Sequence, residues 1–130
     1  MAKLVTLHDA NGEVIYPQTI SDMDYSTSEQ DTGCKWIDGK PIYKKTVSLG
    51  ALPNATTKNV AHGISSLGIM VDMRGVAFYS NGVQLPLPFV STAQTAVSLN
   101  ATSTDIVITA AGDRSSSSGY ATLLYTKTTD

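Results

Sequence analysis

The chain has 130 residues, of which 14 are serine, 16 are threonine and only two, Glu13 and Glu29, are glutamate. Charged residues make up 15 %, against about 25 % in average proteins, and this composition excludes helical bundles and coiled coils. The net charge of −2 disfavours nucleic acid as the main partner, because nucleic-acid binders usually carry a basic face. The length predicts one domain with a single hydrophobic core.

The N-terminal segment, residues 1–9, lacks the apolar run of a signal peptide. No other segment is apolar for long enough to span a membrane. We therefore expect synthesis in the cytoplasm and no membrane insertion. Cys34 is the single cysteine, so no intramolecular disulfide can form and stability must come from packing or assembly.

Three dipeptides predict tight hairpin turns, because their residues tolerate positive φ: Asn11-Gly12, Asp38-Gly39 and Asn81-Gly82. The predicted hairpins join Leu4–His8 to Glu13–Tyr16, Cys34–Ile37 to Pro41–Leu49, and Val76–Ser80 to Val83–Phe89. The prolines Pro86 and Pro88 alternate with apolar residues in the last of these segments. Since proline cannot donate to a strand ladder, that strand should lie at a sheet edge.

Strict alternation of apolar and polar residues predicts half-buried antiparallel strands in the second half of the chain. The apolar sets are Val97, Leu99 and Ala101, then Ile106, Ile108 and Ala110, and finally Ala121, Leu123 and Tyr125. No segment carries the apolar stripe of an amphipathic helix. We therefore predict an all-β fold, an antiparallel β-sandwich of jelly-roll-like form.

Three segments follow from the composition along the chain: an N-terminal hairpin arm over residues 1–20, a polar linker over 21–33 and the sandwich over 34–130. Residues 1–31 carry a net charge of −5 and residues 32–58 carry +4. These blocks could attract each other within one chain or between copies, or form a solvated surface.

Signatures of catalysis and of metal or cofactor binding are weak. His8 and His62 are far apart and neither lies in a zinc-binding spacing. The segment Asp9–Glu13 lacks the spacing of a calcium loop, and a hairpin turn explains it better. The nucleophile elbow and the phosphate-binding glycine loops are missing. We predict that the protein is not an enzyme and needs no cofactor, with Asp113 the residue to test if it were a small hydrolase.

Ligand binding needs no signature spacing, because β-sandwiches bind sugars through exposed aromatic faces beside planar polar groups. Tyr79 adjoins the Asn81-Gly82 turn and is the aromatic residue of the sandwich that we most expect to be exposed. Arg114 lies in a loop that also holds a carboxylate and hydroxyls. Together with Trp36 these two are the candidate ligand-binding residues, and core or subunit packing is the alternative role for each aromatic.

Several motifs resemble segments of bacteriophage fibre and tail-associated proteins. These are Tyr25–Gln30 (YSTSEQ), Trp36–Thr46 (WIDGKPIYKKT), Gly50–Asn54 with Lys58–Ile64, Gly112–Ser115, and Tyr125–Asp130 (YTKTTD). The resemblance implies a virion structural protein, a tail or head fibre built as a homotrimer with its sandwich outward. Cys34 stands where such proteins often have a small or β-branched residue, and we expect a buried thiol there.

The leading hypothesis is therefore a virion fibre subunit, made in the host cytoplasm. Residues 1–20 would bind other virion proteins, the sandwich would form the homotrimer, and its outer end would contact host surface polysaccharide. A stand-alone carbohydrate-binding module is the alternative. The neutral, serine- and threonine-rich composition suits glycan contact through hydrogen bonds.

Overall fold

The computed structural model describes residues 7–8, 10–11, 14–15 and 24–130. These residues form ten β-strands and no helix, and every strand pair is antiparallel. The predicted all-β class is confirmed. No described residue belongs to a helix that is long and apolar enough to span a membrane.

Two short strands belong to the predicted first hairpin. Leu7–His8 (β1) pairs with Val14–Ile15 (β2). Most of the predicted arm lies outside the described residues, as do residues 21–23 of the predicted linker. Of the Asp9–Glu13 segment, only residues 10 and 11 are described, and both are in a turn. The attachment role of the arm therefore stays a prediction.

The larger sheet has five strands in the order β3-β4-β10-β6-β7. Their bounds are Gln30–Lys35 (β3), Pro41–Ala51 (β4), Leu67–Tyr79 (β6), Gln84–Leu87 (β7) and Ser117–Lys127 (β10). The β3–β4 and β6–β7 hairpins confirm the second and third predicted hairpins, with positive φ at Gly39 and Gly82 in their turns. The strand that contains Pro86 is at the sheet edge, as the proline spacing predicts.

The smaller sheet has three strands in the order β5-β9-β8. Their bounds are Thr57–Ala61 (β5), Val97–Ala101 (β8) and Asp105–Ala110 (β9). On one side the two sheets meet at a backbone bridge between Phe89 and Val97. On the other side the Lys58 ammonium of β5 donates to the carbonyl oxygens of Leu49 and Ala51, at 2.8 and 2.7 Å.

One apolar core lies between the two sheets. It receives Leu49 from β4, Leu123 and Tyr125 from β10, and Ile106 and Ile108 from β9, each at most 1 % exposed. The residues from β9 and β10 lie at the alternating positions that the sequence assigns to the buried face, whereas Leu49 belongs to none of the predicted alternating sets. The two facing sheets and their shared core are those of a β-sandwich, in agreement with the predicted architecture.

His62 follows β5 and is 1 % exposed. Its Nδ1 accepts from the Ile64 amide at 3.1 Å, and its Nε2 lies 3.0 Å from the Thr102 carbonyl oxygen. The ring therefore links two loops at one end of the smaller sheet.

Strand β3 begins at Gln30, inside the segment predicted as linker, so the larger sheet begins earlier in the chain than Cys34. Its register with β4 shifts between Asp31 and Lys35. Gly33 has a φ of +76°, and its amide donates to Asp31 Oδ1 at 2.8 Å. Because the strand bulges there, Cys34 is exposed, and the prediction of a buried thiol is wrong.

Candidate functional site

The surface of the larger sheet that points away from the core is called the outer face here. On β10, Ala121, Leu123 and Tyr125 point into the core, so the alternate residues point outward. The strand pairing aligns these with outward residues of the neighbouring strands. The outer face comprises Lys44, Thr46, Asp72, Arg74, Val76, Phe78, Tyr120, Thr122 and Leu124.

Two aromatic rings lie on the outer face, near the end of β6 and the start of β10. Phe78 and Tyr120 have ring centroids 6.1 Å apart and ring planes only 18° apart. They are 38 % and 47 % exposed, and the neighbouring Val76 is 43 % exposed. An apolar surface with near-parallel rings therefore remains open to a ligand or a partner.

Gly119 explains how β10 and β6 hold this pair of rings. A Cβ atom at Gly119 would lie 2.5 Å from the carbonyl oxygen of Val76, so only glycine lets the two strands approach this closely. The residues on either side then pair in register, Ser118 with Phe78 and Tyr120 with Val76. The two rings come from adjacent strands at diagonal positions, which is within reach for aromatic side chains.

Charged groups lie beside the rings. Arg74 donates to the Asp72 carboxylate at 2.8 Å, and the Lys44 ammonium lies 4.4 Å from the centroid of the Tyr25 ring. These residues and Tyr120 line a groove of about 430 Å³. The groove thus combines apolar rings with hydrogen-bond donors and acceptors.

The structure brings two of the three predicted ligand-binding residues together. Arg114 donates to the Tyr79 hydroxyl at 2.8 Å. Trp36 lies in the β3–β4 turn, at the opposite end of the larger sheet. Since β10 runs between these ends, they are separated by roughly 30 Å. Tyr79 is only partly exposed, whereas Phe78 and Tyr120 are more exposed, so Tyr79 is not the exposed aromatic that the sequence indicated.

Arg114 and Tyr79 border a pocket of about 340 Å³, called the Arg114 pocket here. Its lining comprises Tyr79, Asn81, Val83, Leu85, Phe89, Ser91, Thr95 and Arg114. The second guanidinium nitrogen donates to the Thr95 carbonyl oxygen at 2.5 Å, and the Arg114 Cζ lies 5.7 Å from the centroid of the Phe89 ring. The guanidinium is therefore held in a fixed direction beside an aromatic ring.

The loop before β10 supports Arg114 through its backbone. The Arg114 amide donates to the Pro53 carbonyl, and its own carbonyl accepts from the amide and hydroxyl of Ser117. Asp113 instead accepts from the hydroxyl and amide of Ser115, and these bonds lower the pKa of its carboxyl group. The carboxylate closest in sequence to Arg114 is thus engaged with Ser115.

A second polar cluster lies at the other end of β10. The Tyr125 hydroxyl donates to Glu29 Oε2 at 2.6 Å, and the Lys127 ammonium lies 2.5 Å from Glu29 Oε1. Burial, and then the Glu29 carboxylate, raise the pKa of Tyr125. The Tyr43 hydroxyl donates to Asp130, and this bond is the main cause that raises the pKa of Tyr43 to about 12.

Among the described residues, no group of three or more His, Cys, Asp and Glu side chains is placed to hold a metal ion. The polar clusters offer hydrogen bonds and charge.

Comparison with known proteins yields no match to the chain: no family model, no curated protein and no solved structure.

Phe78 and Tyr120 were missed as candidate site residues. A sequence signal was present for Tyr120. The alternation of two residues that assigns Ala121 and Leu123 to the core assigns Tyr120 to the opposite face of the sheet. Tyr25 lies before β3 and belongs to no alternating pattern. Only the fold places it over Lys44, at the rim of the groove.

Proposed function

We propose that the chain is a bacteriophage fibre subunit whose β-sandwich binds host surface polysaccharide through the outer face. The observation that carries the binding proposal is the exposed Phe78–Tyr120 pair beside the Arg74–Asp72 ion pair. Sugar rings have apolar C–H faces that pack on aromatic rings, while their hydroxyls bond to charged side chains.

The virion assignment rests on the resemblance of the Trp36–Thr46 and Tyr125–Asp130 segments to phage fibre proteins. It includes a jelly-roll-like head, a homotrimer and attachment to other virion proteins through residues 1–20. A trimer would also cover exposed sheet edges between subunits.

The alternative is a carbohydrate-binding module that acts alone, and one observation favours it. Leu123, Tyr125 and Ile106 are fully buried within a single chain, so the core between the sheets is complete without a partner. Sedimentation of the purified protein at micromolar concentration separates the two. A trimer supports the fibre subunit, and a monomer that binds glycan supports the separate module.

An array of bacterial surface polysaccharides tests the binding proposal. We expect Phe78→Ala and Tyr120→Ala each to weaken binding by about fivefold, because a lost aromatic contact is worth about 1 kcal/mol. Ile37→Ala is the matched control, since Ile37 is 90 % exposed in the β3–β4 turn, away from the outer face. Unchanged binding in the Phe78→Ala, Tyr120→Ala double variant, with an unchanged fold, would contradict the proposal.

A further inference from the structure

We propose that the Arg114 pocket is a second binding site, which takes the carboxylate of an acidic sugar residue. The site is separate from the outer face. That the ligand is an acidic sugar, and not another compound with a carboxylate, rests on the proposed function.

The first step is the charge of Arg114. Its two bonds go to neutral acceptors, the Tyr79 hydroxyl and the Thr95 carbonyl oxygen. The ion pairs within the described residues are Arg74–Asp72 and Lys127–Glu29, and neither includes Arg114. A partly buried cation without a counter-ion is unfavourable, so an anionic ligand would gain binding energy there.

The second step is the direction of the guanidinium. The bonds to Tyr79 and Thr95 use two of its five N–H donors and fix its plane. A carboxylate can accept two parallel bonds from such a fixed plane, which gives specificity as well as affinity. A lysine at this position would lack that geometry.

The third step is the shape and lining of the pocket. Its volume of about 340 Å³ is at the lower end of the range for ligand pockets, about 300–1,000 Å³. Val83, Leu85 and Phe89 supply apolar walls, and Asn81 and Ser91 supply polar groups. An acidic sugar has the matching parts, since it combines an apolar ring face, hydroxyls and one carboxylate.

Calorimetric titration with uronic-acid trisaccharides tests this inference. The probes are the trisaccharides of glucuronate, galacturonate and mannuronate, each compared with its neutral methyl ester. We expect at least one acid to bind about tenfold more tightly than its ester, and its binding to weaken as salt increases. Equal binding of every acid and its ester, or no binding of any acid, would overturn the proposal.

Two variants locate the binding. Arg114→Gln should abolish the preference for the acid over the ester. Because that change also removes bonds to Tyr79 and Thr95, Ser91→Asp serves as a second variant, which leaves Arg114 in place and adds a competing carboxylate at the pocket. It should lower the affinity for the acid, whereas its neutral control Ser91→Asn should not. A well-folded Ser91→Asp protein with wild-type affinity would count against the site.

The outcomes also separate this inference from the proposed function. Polysaccharide binding that needs Tyr120 but is indifferent to Arg114, with no preference for acids, would overturn only the Arg114 site. Uronate binding that needs Arg114, without any polysaccharide binding through Tyr120, would overturn only the role of the outer face.

Discussion

The two ends of β10 each hold a partly buried cation, and the partners of these cations differ. Lys127 lies against the Glu29 carboxylate, which also accepts from the Tyr125 hydroxyl. Arg114, at the other end, bonds to the neutral oxygens of Tyr79 and Thr95 beside an open pocket. At the first end the Lys127–Glu29 ion pair holds the segment before β3 against the sheet. At the second end the positive charge of Arg114 is available to the anionic ligand proposed above.

Removing the Glu29 carboxylate should have the largest effect on stability. Glu29→Ala leaves Lys127 and the Tyr125 hydroxyl without their acceptor, and we expect a loss of about 2–3 kcal/mol in the free energy of unfolding, measured in urea. Asp72→Ala is the control, because it breaks the exposed ion pair with Arg74 and should cost less than about 1 kcal/mol. Equal losses in the two variants would remove the distinction between a structural and an exposed pair.

Lys58 sharpens the comparison, because within the part of the chain that the structure describes it too donates only to neutral oxygens, those of Leu49 and Ala51. Lys58→Met removes both bonds and should cost about 1–2 kcal/mol in thermal unfolding. Lys58 does not line the Arg114 pocket, so uronate binding should be unchanged. Weakened uronate binding in this variant would show that a cation outside the Arg114 pocket also binds the acid, so that the pocket is not the specific site.

The hydroxyl of Tyr125 should have the smallest effect at neutral pH and a distinctive dependence on pH. Tyr125→Phe should cost about 1 kcal/mol at pH 7. In the unfolded chain Tyr125 and Tyr43 lose their protons near pH 10, whereas in the fold the pKa of Tyr43 is about 12 and that of Tyr125 is also raised. A raised pKa stabilises the fold below pH 10, and this stability is lost as pH rises further.

Urea unfolding of wild type and Tyr125→Phe at pH 7 and pH 11 measures this dependence. The wild type should be less stable at pH 11, and its advantage over the variant should shrink. An equal advantage at both pH values would mean that the Tyr125 proton is not linked to folding.

Much of the sandwich could be predicted because its signals are local. Alternation identifies the buried faces of the strands that contain Ile106 and Leu123. The proline Pro86 marks an edge strand, and Gly39 and Gly82 mark the hairpin turns. Each of these depends on the residue itself or on a neighbour two positions away.

The rest depends on contacts between residues far apart in the chain. The position of β10 between β4 and β6 is set by packing, and so are the exposed rings of Phe78 and Tyr120. Tyr79 and Arg114 were both candidates, yet their contact spans 35 positions and no spacing rule joins them. Cys34 is exposed because β3 bulges, where the Gly33 amide donates to the Asp31 side chain and the Cys34 amide to the Thr32 hydroxyl.

The bulge in β3 has a consequence for how copies of the molecule can associate. A flat edge strand offers its backbone to the next chain and supports open-ended growth into fibrils. In β3 the Gly33 and Cys34 amides already donate to the side chains of Asp31 and Thr32, so they cannot pair with another strand. A continuous backbone ladder between copies is therefore interrupted at this part of β3, which opposes open-ended growth through this edge.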